Sequence, residues 1–417
     1  MIIRAKESAK KLISSAAAFW FAVPLLMIVP LRKRMRTACK RLTYYFALAF
    51  AKILSKLSRS YCLIEFLPKY AEDVTACNLL TDTKENEYAI VIQGPVSGFT
   101  QESIKIYRKI FPKAVIIVST WKNTDDRLAN DLRNLADELI LSDLPETSGL
   151  GNVNYQTKSS YEGMKRAYEM GIPYAMKTRT DQRIYAPLTF EYLKTLLDVF
   201  PVDESVSQCQ KKRITATPSE NSMSYAYWMC DFFYFGTSED LMKFFDFPPD
   251  TRHFGGSTKD LWHHFLGSEK WLNRNRTGTR INISPEICMT KSYIQRTTPG
   301  ECRSDVKHFW DDVQKRFLYV SLSDIRLYWD KYESRYVNFW NAENIDGQPA
   351  RDGNMRFMTP VSLSLLAKHL RYEERLEEFY DPDIIEQFPY LGTFCKGYEH
   401  LDEVMKDFPF LRGGEKN

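Results

Sequence analysis

Tyr88-Ala-Ile-Val-Ile-Gln-Gly-Pro95 decides the fold. The run is apolar as far as Ile92 and stops at Gln-Gly-Pro, the pattern of a buried strand that ends in a tight turn. The pattern returns at Lys113-Ala-Val-Ile-Ile-Val-Ser-Thr-Trp121 and at Glu138-Leu-Ile-Leu-Ser142. Between these runs lie two helical stretches, Gln101 to Phe111 with Thr100 as its cap, and Asp125 to Leu135. Strands that alternate with helices at short spacing predict an α/β layer with a mainly parallel sheet flanked by helices. Strands that are apolar on both sides suit a sheet covered on both faces.

In such sheets ligands bind beyond the carboxyl ends of the strands. That rule places Gln93, Gly94 and Pro95 on one rim with Ser119, Thr120 and Trp121. Gly94 lets the backbone approach a ligand closely. Neither G-x-G-x-x-G nor G-x-x-x-x-G-K-[ST] occurs, so a dinucleotide fingerprint and a P-loop are both absent from the sequence. Gly149-Leu-Gly-Asn-Val-Asn-Tyr-Gln156 is a polar loop that opens a helix, Tyr155 to Met170. Asn152, Asn154 and Gln156 at that helix start suit contacts to a nucleotide or to sugar hydroxyls; capping of the helix is the competing reading.

The next strand runs into a charged loop, Tyr174-Ala-Met-Lys-Thr-Arg-Thr-Asp-Gln-Arg-Ile184. Lys177, Arg179 and Arg183 surround one acid, Asp181. A strand-end acid among cations suits a divalent cation, Mn2+ or Mg2+, that carries a phosphate-bearing donor. Arginine meets phosphate oxygens as a two-pronged fork. The competing reading is a strand whose charges pair with one another. Further on, Ser224 to Gly236 is almost wholly apolar apart from Asp231. A lone acid in such a strand is costly unless it is paired or tuned, which makes it a candidate general base. Pairing with an arginine is the structural alternative. Glu286, at the start of a later element, is either a helix-terminal acid or a second catalytic carboxylate.

Composition narrows the classes. The chain has 417 residues, enough for one large domain or two modest ones, with 44% apolar and 26% charged residues. A net charge of +4 is too small to point to nucleic acid, and the basic residues cluster near the N-terminus. None of the eight cysteines forms a C-x-x-C pair, so a zinc ribbon is not expected. The six histidines include one adjacent pair, His263-His264, which makes a histidine metal cluster a poor reading.

The N-terminus differs from the rest. Leu12 to Leu31 is free of charge over 20 residues, about the length of a membrane span, with Pro24 and Pro30 interrupting it. Arg32, Lys33, Arg34, Arg36, Lys40 and Arg41 follow, which places the remaining chain on the cytoplasmic side. Leu42 to Leu57 then reads as a basic amphipathic helix on a membrane surface, with an ordinary core helix as the competing reading. The expected organisation is a membrane-associating segment over 1–60, a linker over 61–87, a catalytic domain over 88–305 and a mainly helical C-terminal region over 306–417. An amphipathic helix is expected from Thr359 to Phe379.

As a set, Ile92-Gln-Gly-Pro95, Ser119-Thr-Trp121, Asn152 to Gln156 with Ser159-Ser160, Lys177 to Arg183, Asp231 to Gly236 and Pro285-Glu286 resemble the WavE lipopolysaccharide-synthesis family of bacterial glycosyltransferases. The resemblance covers roughly residues 88 to 300. It implies a GT-A-like fold and a nucleotide-sugar donor. It also implies a glycan or lipid-linked glycan acceptor in surface polysaccharide assembly, at the cytoplasmic face of the bacterial inner membrane. Thr180-Asp181 then stand where GT-A enzymes place a D-x-D metal motif, with Arg179 where the first acid would be. The alternatives are a phosphotransferase or nucleotidyltransferase that uses the same cationic rim, and a non-catalytic membrane scaffold or glycan-binding protein.

Overall fold

The computed structural model describes residues 33–58, 66–75, 84–217, 229–251, 285–298, 312, 315–320 and 324–330. The expectations for residues 12–31, for His263-His264 and for the helix at 359–379 lie outside them. The chain divides into two units, Met1–Leu67 and Pro68–Asn417.

In the first unit, α1 (Lys33–Ser58) carries no acid in its first turn and Lys56 in its last. Its outer surface is unusually apolar: Leu42, Tyr45, Phe46, Phe50, Ile53 and Leu57 are all exposed. Among the described residues no helix is long and apolar enough to cross a membrane.

In the second unit, β1 (Tyr88–Gln93), β2 (Val115–Trp121), β3 (Glu138–Ser142) and β4 (Tyr174–Arg179) are joined by α2 (Gly98–Ile110), α3 (Asp126–Leu135) and α4 (Val153–Glu169). After β4 come the short β5 (Gln182–Ile184), α5 (Thr189–Val199), β6 (Ile214–Thr217), β7 (Cys230–Thr237), α6 (Ser238–Phe245), α7 (Pro285–Thr297), β8 (Phe317–Tyr319) and β9 (Leu327–Trp329). Seven strands form one sheet in the order β3-β2-β1-β4-β7-β6-β8, and β5 pairs with β9 in a second. The sheet is mainly parallel: β7 alone runs against its neighbours β4 and β6.

Strand alternation divides the core into two layers. Ala89 and Val91 point to one face and pack with Met164 and Ala167 of α4, Leu241, Phe244 and Phe245 of α6, and Met289 and Tyr293 of α7. Tyr88 points to the other, where its ring stacks on Phe190 of α5 at 4.5 Å and Phe190 meets Phe111 edge-on. Both faces are therefore covered, which is why β1 and β2 are buried at every residue.

Gly163 sets how closely α4 lies on the sheet. A Cβ there would stand 2.3 Å from Val91 Cγ1 and 3.3 Å from Ser119 Cβ. Gly163→Ala is expected to lift α4 from β1 and lower stability by about 1–3 kcal/mol, the usual cost of overpacking. A lower urea midpoint with an unchanged denaturant slope would show it; an unchanged midpoint would mean the helix shifts freely.

Two stretches outside 88–305 are tied to the sheet domain. Within the expected linker over 61–87, Pro68 to Val74 form a strap held on the sheet domain. Lys109 Nζ donates to the carbonyls of Ala71 and Val74, Arg183 Nη1 to that of Lys69, and the Tyr185 hydroxyl to that of Pro68. Beyond residue 305, β8 pairs with β6 at the edge of the main sheet and β9 pairs with β5.

Candidate active site

The chain order around β1 creates the site. The connections from β1 to β2 and β3 travel to one side, and β4 returns on the other. The gap beyond the carboxyl ends of β1 and β4 is thus a topological switch point, where α/β sheets bind ligands. Gln93 and Arg179 end these two strands as register partners. Because β7 runs antiparallel, it begins at the rim where β4 finishes, and that brings Asp231 alongside Arg179.

β1 ends in a fixed turn. Gly94 has φ of +117°, which only glycine adopts readily, and its N–H donates to the Ser119 carbonyl at 3.1 Å. The Thr180 N–H donates to the Gln93 carbonyl at 3.1 Å, and the Thr100 hydroxyl to the Thr180 carbonyl at 3.1 Å. From α4, the Ser159 hydroxyl donates to Gln93 Oε1 at 2.8 Å. The two strand ends are therefore tied to each other and to both helical layers.

Arg179 is the hub. Its Nη1 donates to Asp231 Oδ2 at 2.9 Å, its Nε to Asp181 Oδ1 at 3.1 Å and its Nη2 to Asp181 Oδ2 at 3.5 Å. The guanidinium carbon lies 5.0 Å from the Trp329 ring centre. The Asp231 side chain is 5% exposed, against 21% for Arg179 and 31% for Asp181. Burial opposes the charge of Arg179, but Asp231 and Asp181 outweigh it and hold its pKa above the usual value. Burial also works against the Asp181 carboxylate, yet Arg179 keeps it below the ordinary range.

Lys177 lies one step deeper on the same strand face, 1% exposed, with Nζ donating to the Asp231 carbonyl and lying 5.8 Å from the Tyr234 ring centre. Burial pushes its pKa down to about 8, against the pull of Asp231. Glu286, in the first turn of α7, adds to the field at Lys177. At the far end of α7, buried Arg316 fixes the helix by donating to Thr297 Oγ1 at 3.0 Å and Thr298 Oγ1 at 2.7 Å.

The sign of the Lys177 effect follows. Its folded pKa lies below the unfolded lysine value of about 10.4, so between about pH 8 and 10.4 the unfolded chain holds the extra proton. The lysine's contribution to stability therefore rises with pH across that window, and below it the cost of burying the charge is present in full. In urea titrations from pH 7 to 10.5, Lys177→Met is expected to remove this rise relative to the parent chain. Parallel pH curves would refute it.

The other expected contacts are placed differently. Arg183 belongs to the protein interior: it donates to Ser103 Oγ, to the Lys69 carbonyl and to the Phe99 carbonyl, and its guanidinium covers the Phe99 ring. The amide of Asn154 bridges Thr147 to the backbone of Asp250. Asn152 starts α4 with φ of +65°. Gln156 Oε1 and Ser119 Oγ are buried with no hydrogen-bond partner among the described residues. Thr120 faces Thr124, Trp121 packs edge-on against Tyr155, and Pro95 stands exposed on the rim. A cavity of about 360 Å³ between Tyr168, Tyr174, Lys211 and Thr237 lies at the opposite rim, where β4 begins.

The donor set does not fit a divalent cation. Such an ion takes several oxygen ligands, and among the described residues no three His, Cys, Asp or Glu side chains converge. Both oxygens of Asp181 face nitrogens of one guanidinium, and the same guanidinium holds Asp231. A cation would have to displace a positive group from its ligands.

Sequence reasoning missed Trp329, Ser159 as the partner of Gln93, and the strap at 68–74. The signal for Ser159 was present in its position on the first turns of α4; a three-residue strand such as β9 leaves none.

Comparisons with known proteins give three results. Two of the solved structures similar to parts of the chain illustrate the likeness. One is mannose-1-phosphate geranyltransferase from Thermus thermophilus, with 12% identity and a TM-score of 0.22 over 42% of this chain and 67% of that one. The other is a candidate nucleotide-diphospho-sugar transferase from Desulfovibrio desulfuricans, with 11% identity and a TM-score of 0.23 over 51% of this chain and 98% of that one. No curated protein matches in sequence. The model of the WavE lipopolysaccharide synthesis family matches residues 88–265, the segment that carries β1 to β7 and both acids bound by Arg179.

Proposed function

We propose that this protein is a glycosyltransferase, with a GT-A-like domain that moves a sugar from a nucleotide-diphosphate donor to a hydroxyl of a lipopolysaccharide or other surface glycan. One observation carries the reading: Arg179, Asp181 and Asp231 meet beside the Gly94 turn at the switch point of the sheet. The turn gives a nucleotide close access to backbone, and the guanidinium faces the charge that develops on a departing diphosphate. Asp231 offers Oδ1 to the acceptor hydroxyl as general base in an inverting transfer, with Glu286 as the nearby alternative. The glycan acceptor in this reading is supported by the family match alone.

The test is a panel of nucleotide sugars added to the protein with and without Mn2+. A bound donor stabilises the folded chain by about 2.7 kcal/mol at 100 times its Kd, which is read as a higher melting temperature. Transfer of an intact sugar, read by product mass, supports the function. Transfer of a phosphoryl or nucleotidyl group replaces it with the alternative chemistry, and no shift with any donor leaves a non-catalytic scaffold.

The same proposal places the protein on the cytoplasmic face of the inner membrane through α1. That helix exposes Tyr45, Phe46, Phe50, Ile53 and Leu57 while its sequence carries seven lysines and arginines and no acid, the composition that suits an anionic lipid surface. The full chain is expected to sediment with vesicles containing phosphatidylglycerol. Deletion of residues 1–60 should release it, and sedimentation that survives the deletion would remove α1 from the role.

A further inference from the structure

Arg179 is held from two sides in different ways. Asp231 takes one Nη1 hydrogen from the buried side, with only 5% of its side chain exposed. Asp181 takes the Nε and Nη2 edge from the open side. That edge is the two-pronged fork with which an arginine binds carboxylate or phosphate oxygens. Asp181 follows Arg179 by two residues, and its carboxylate sits on the fork where a phosphate would bind. Its backbone is fixed separately, by the Asp330 N–H donating to its carbonyl at 3.1 Å, while Trp329 and the residue's own N–H add to the hold on the carboxylate.

We propose that Arg179 itself is the diphosphate-binding group, that Asp181 is a resident competitor for its fork, and that binding exchanges one anion for the other without a divalent cation. Through Oδ2, Asp231 also aims the guanidinium, beside the role of its other oxygen as base. Trp329, stacked on the guanidinium face, limits its rotation. The proposal rests on the reading of this rim as a diphosphate site and specifies which group provides the charge.

A metal-ligand role and a competitor role for Asp181 predict effects of opposite sign. Inorganic pyrophosphate is titrated calorimetrically into the full chain in detergent, once with EDTA and once with Mn2+. The wild-type protein is expected to bind equally well in both. Asp181→Asn and Asp181→Ala are expected to bind roughly tenfold tighter, the scale of one charge-assisted hydrogen bond no longer contested. Arg179→Lys, which keeps the charge but loses the fork, is expected to bind at least about tenfold more weakly. Binding that requires Mn2+ and is lost in Asp181→Asn would overturn the proposal, as would absence of pyrophosphate binding in both wild type and Asp181→Asn. A nucleotide sugar that binds only with Mn2+ leaves the transferase function standing and removes this inference. Pyrophosphate held through Arg179 with no nucleotide sugar recognised does the reverse.

Discussion

Arg179→Met is expected to destabilise the protein by about 3–5 kcal/mol, the usual cost of removing one partner from a buried ion pair. The magnitude follows from what the substitution leaves behind. Asp231 is almost fully buried, and Arg179 is the cation that touches its carboxylate. Lys177 lies close, but its Nζ is spent on the Asp231 carbonyl rather than on the side chain. Methionine fills much of the same volume, so the loss is electrostatic and not a cavity. Asp231 is then left in a site without a counter-ion at contact, a term separate from the loss of the guanidinium's other contacts. The second variant separates these terms: in Arg179→Met with Asp231→Asn the stranded charge is gone, and most of the lost stability is expected to return. Chemical denaturation of the four forms gives the coupling energy directly. Additive losses would show that the two residues do not share a buried pair.

How much of this was legible beforehand depended on the length of each signal. β1 and β3 were read to the residue or nearly so, because unbroken apolar runs between polar turns have few other readings. The start of α2 was read three residues late. Thr100 resembles a cap, but the helix begins at Gly98 after Ser97, and Thr100 instead accepts from the Ser97 N–H while donating to Thr180. The strap at Pro68 to Val74 could not be read from its polar composition, since what holds it are side chains more than 30 residues away. β8 and β9 have three residues each and no periodicity; they are strands because β6 and β5 provide edges to pair with. The candidate site separated along the same lines. Lys177 and Arg179 share a strand face by their spacing of two, and both reach the cluster. Arg183 lies past the turn, on β5, where Ser103 and Phe99 are its neighbours. Three cations that look equivalent in sequence thus became one hub, one buried support and one brace for the strap. Asp231 was legible as an anomaly, since an acid in an apolar strand has to be paired or used, and here it is paired with the residue that the site is built around.

Asp231→Asn is expected to reduce sugar transfer by about 100- to 10,000-fold, the range that a positioned general base contributes, while donor affinity stays within a few-fold. The two effects separate because the two carboxylate oxygens have different tasks. Oδ2 accepts from Arg179 Nη1, and an asparagine oxygen can take over that hydrogen bond with little change in shape. Oδ1 is free of the guanidinium, and in the variant its place is taken by an amide nitrogen that can donate but cannot receive a proton. The guanidinium remains aimed at the diphosphate, and the step that needs a base fails. Single-turnover transfer, measured beside donor binding for wild type, Asp231→Asn and Glu286→Gln, reads the two quantities independently. Glu286 shares the field around Lys177, and Glu286→Gln should spare turnover if Asp231 is the base. The opposite ordering, with Glu286→Gln inactive and Asp231→Asn near normal, would transfer the role to α7 and leave Asp231 as the anchor of Arg179 alone. Loss of donor binding in Asp231→Asn together with turnover would mean that the charge of the aspartate, and not its basicity, is what the site requires.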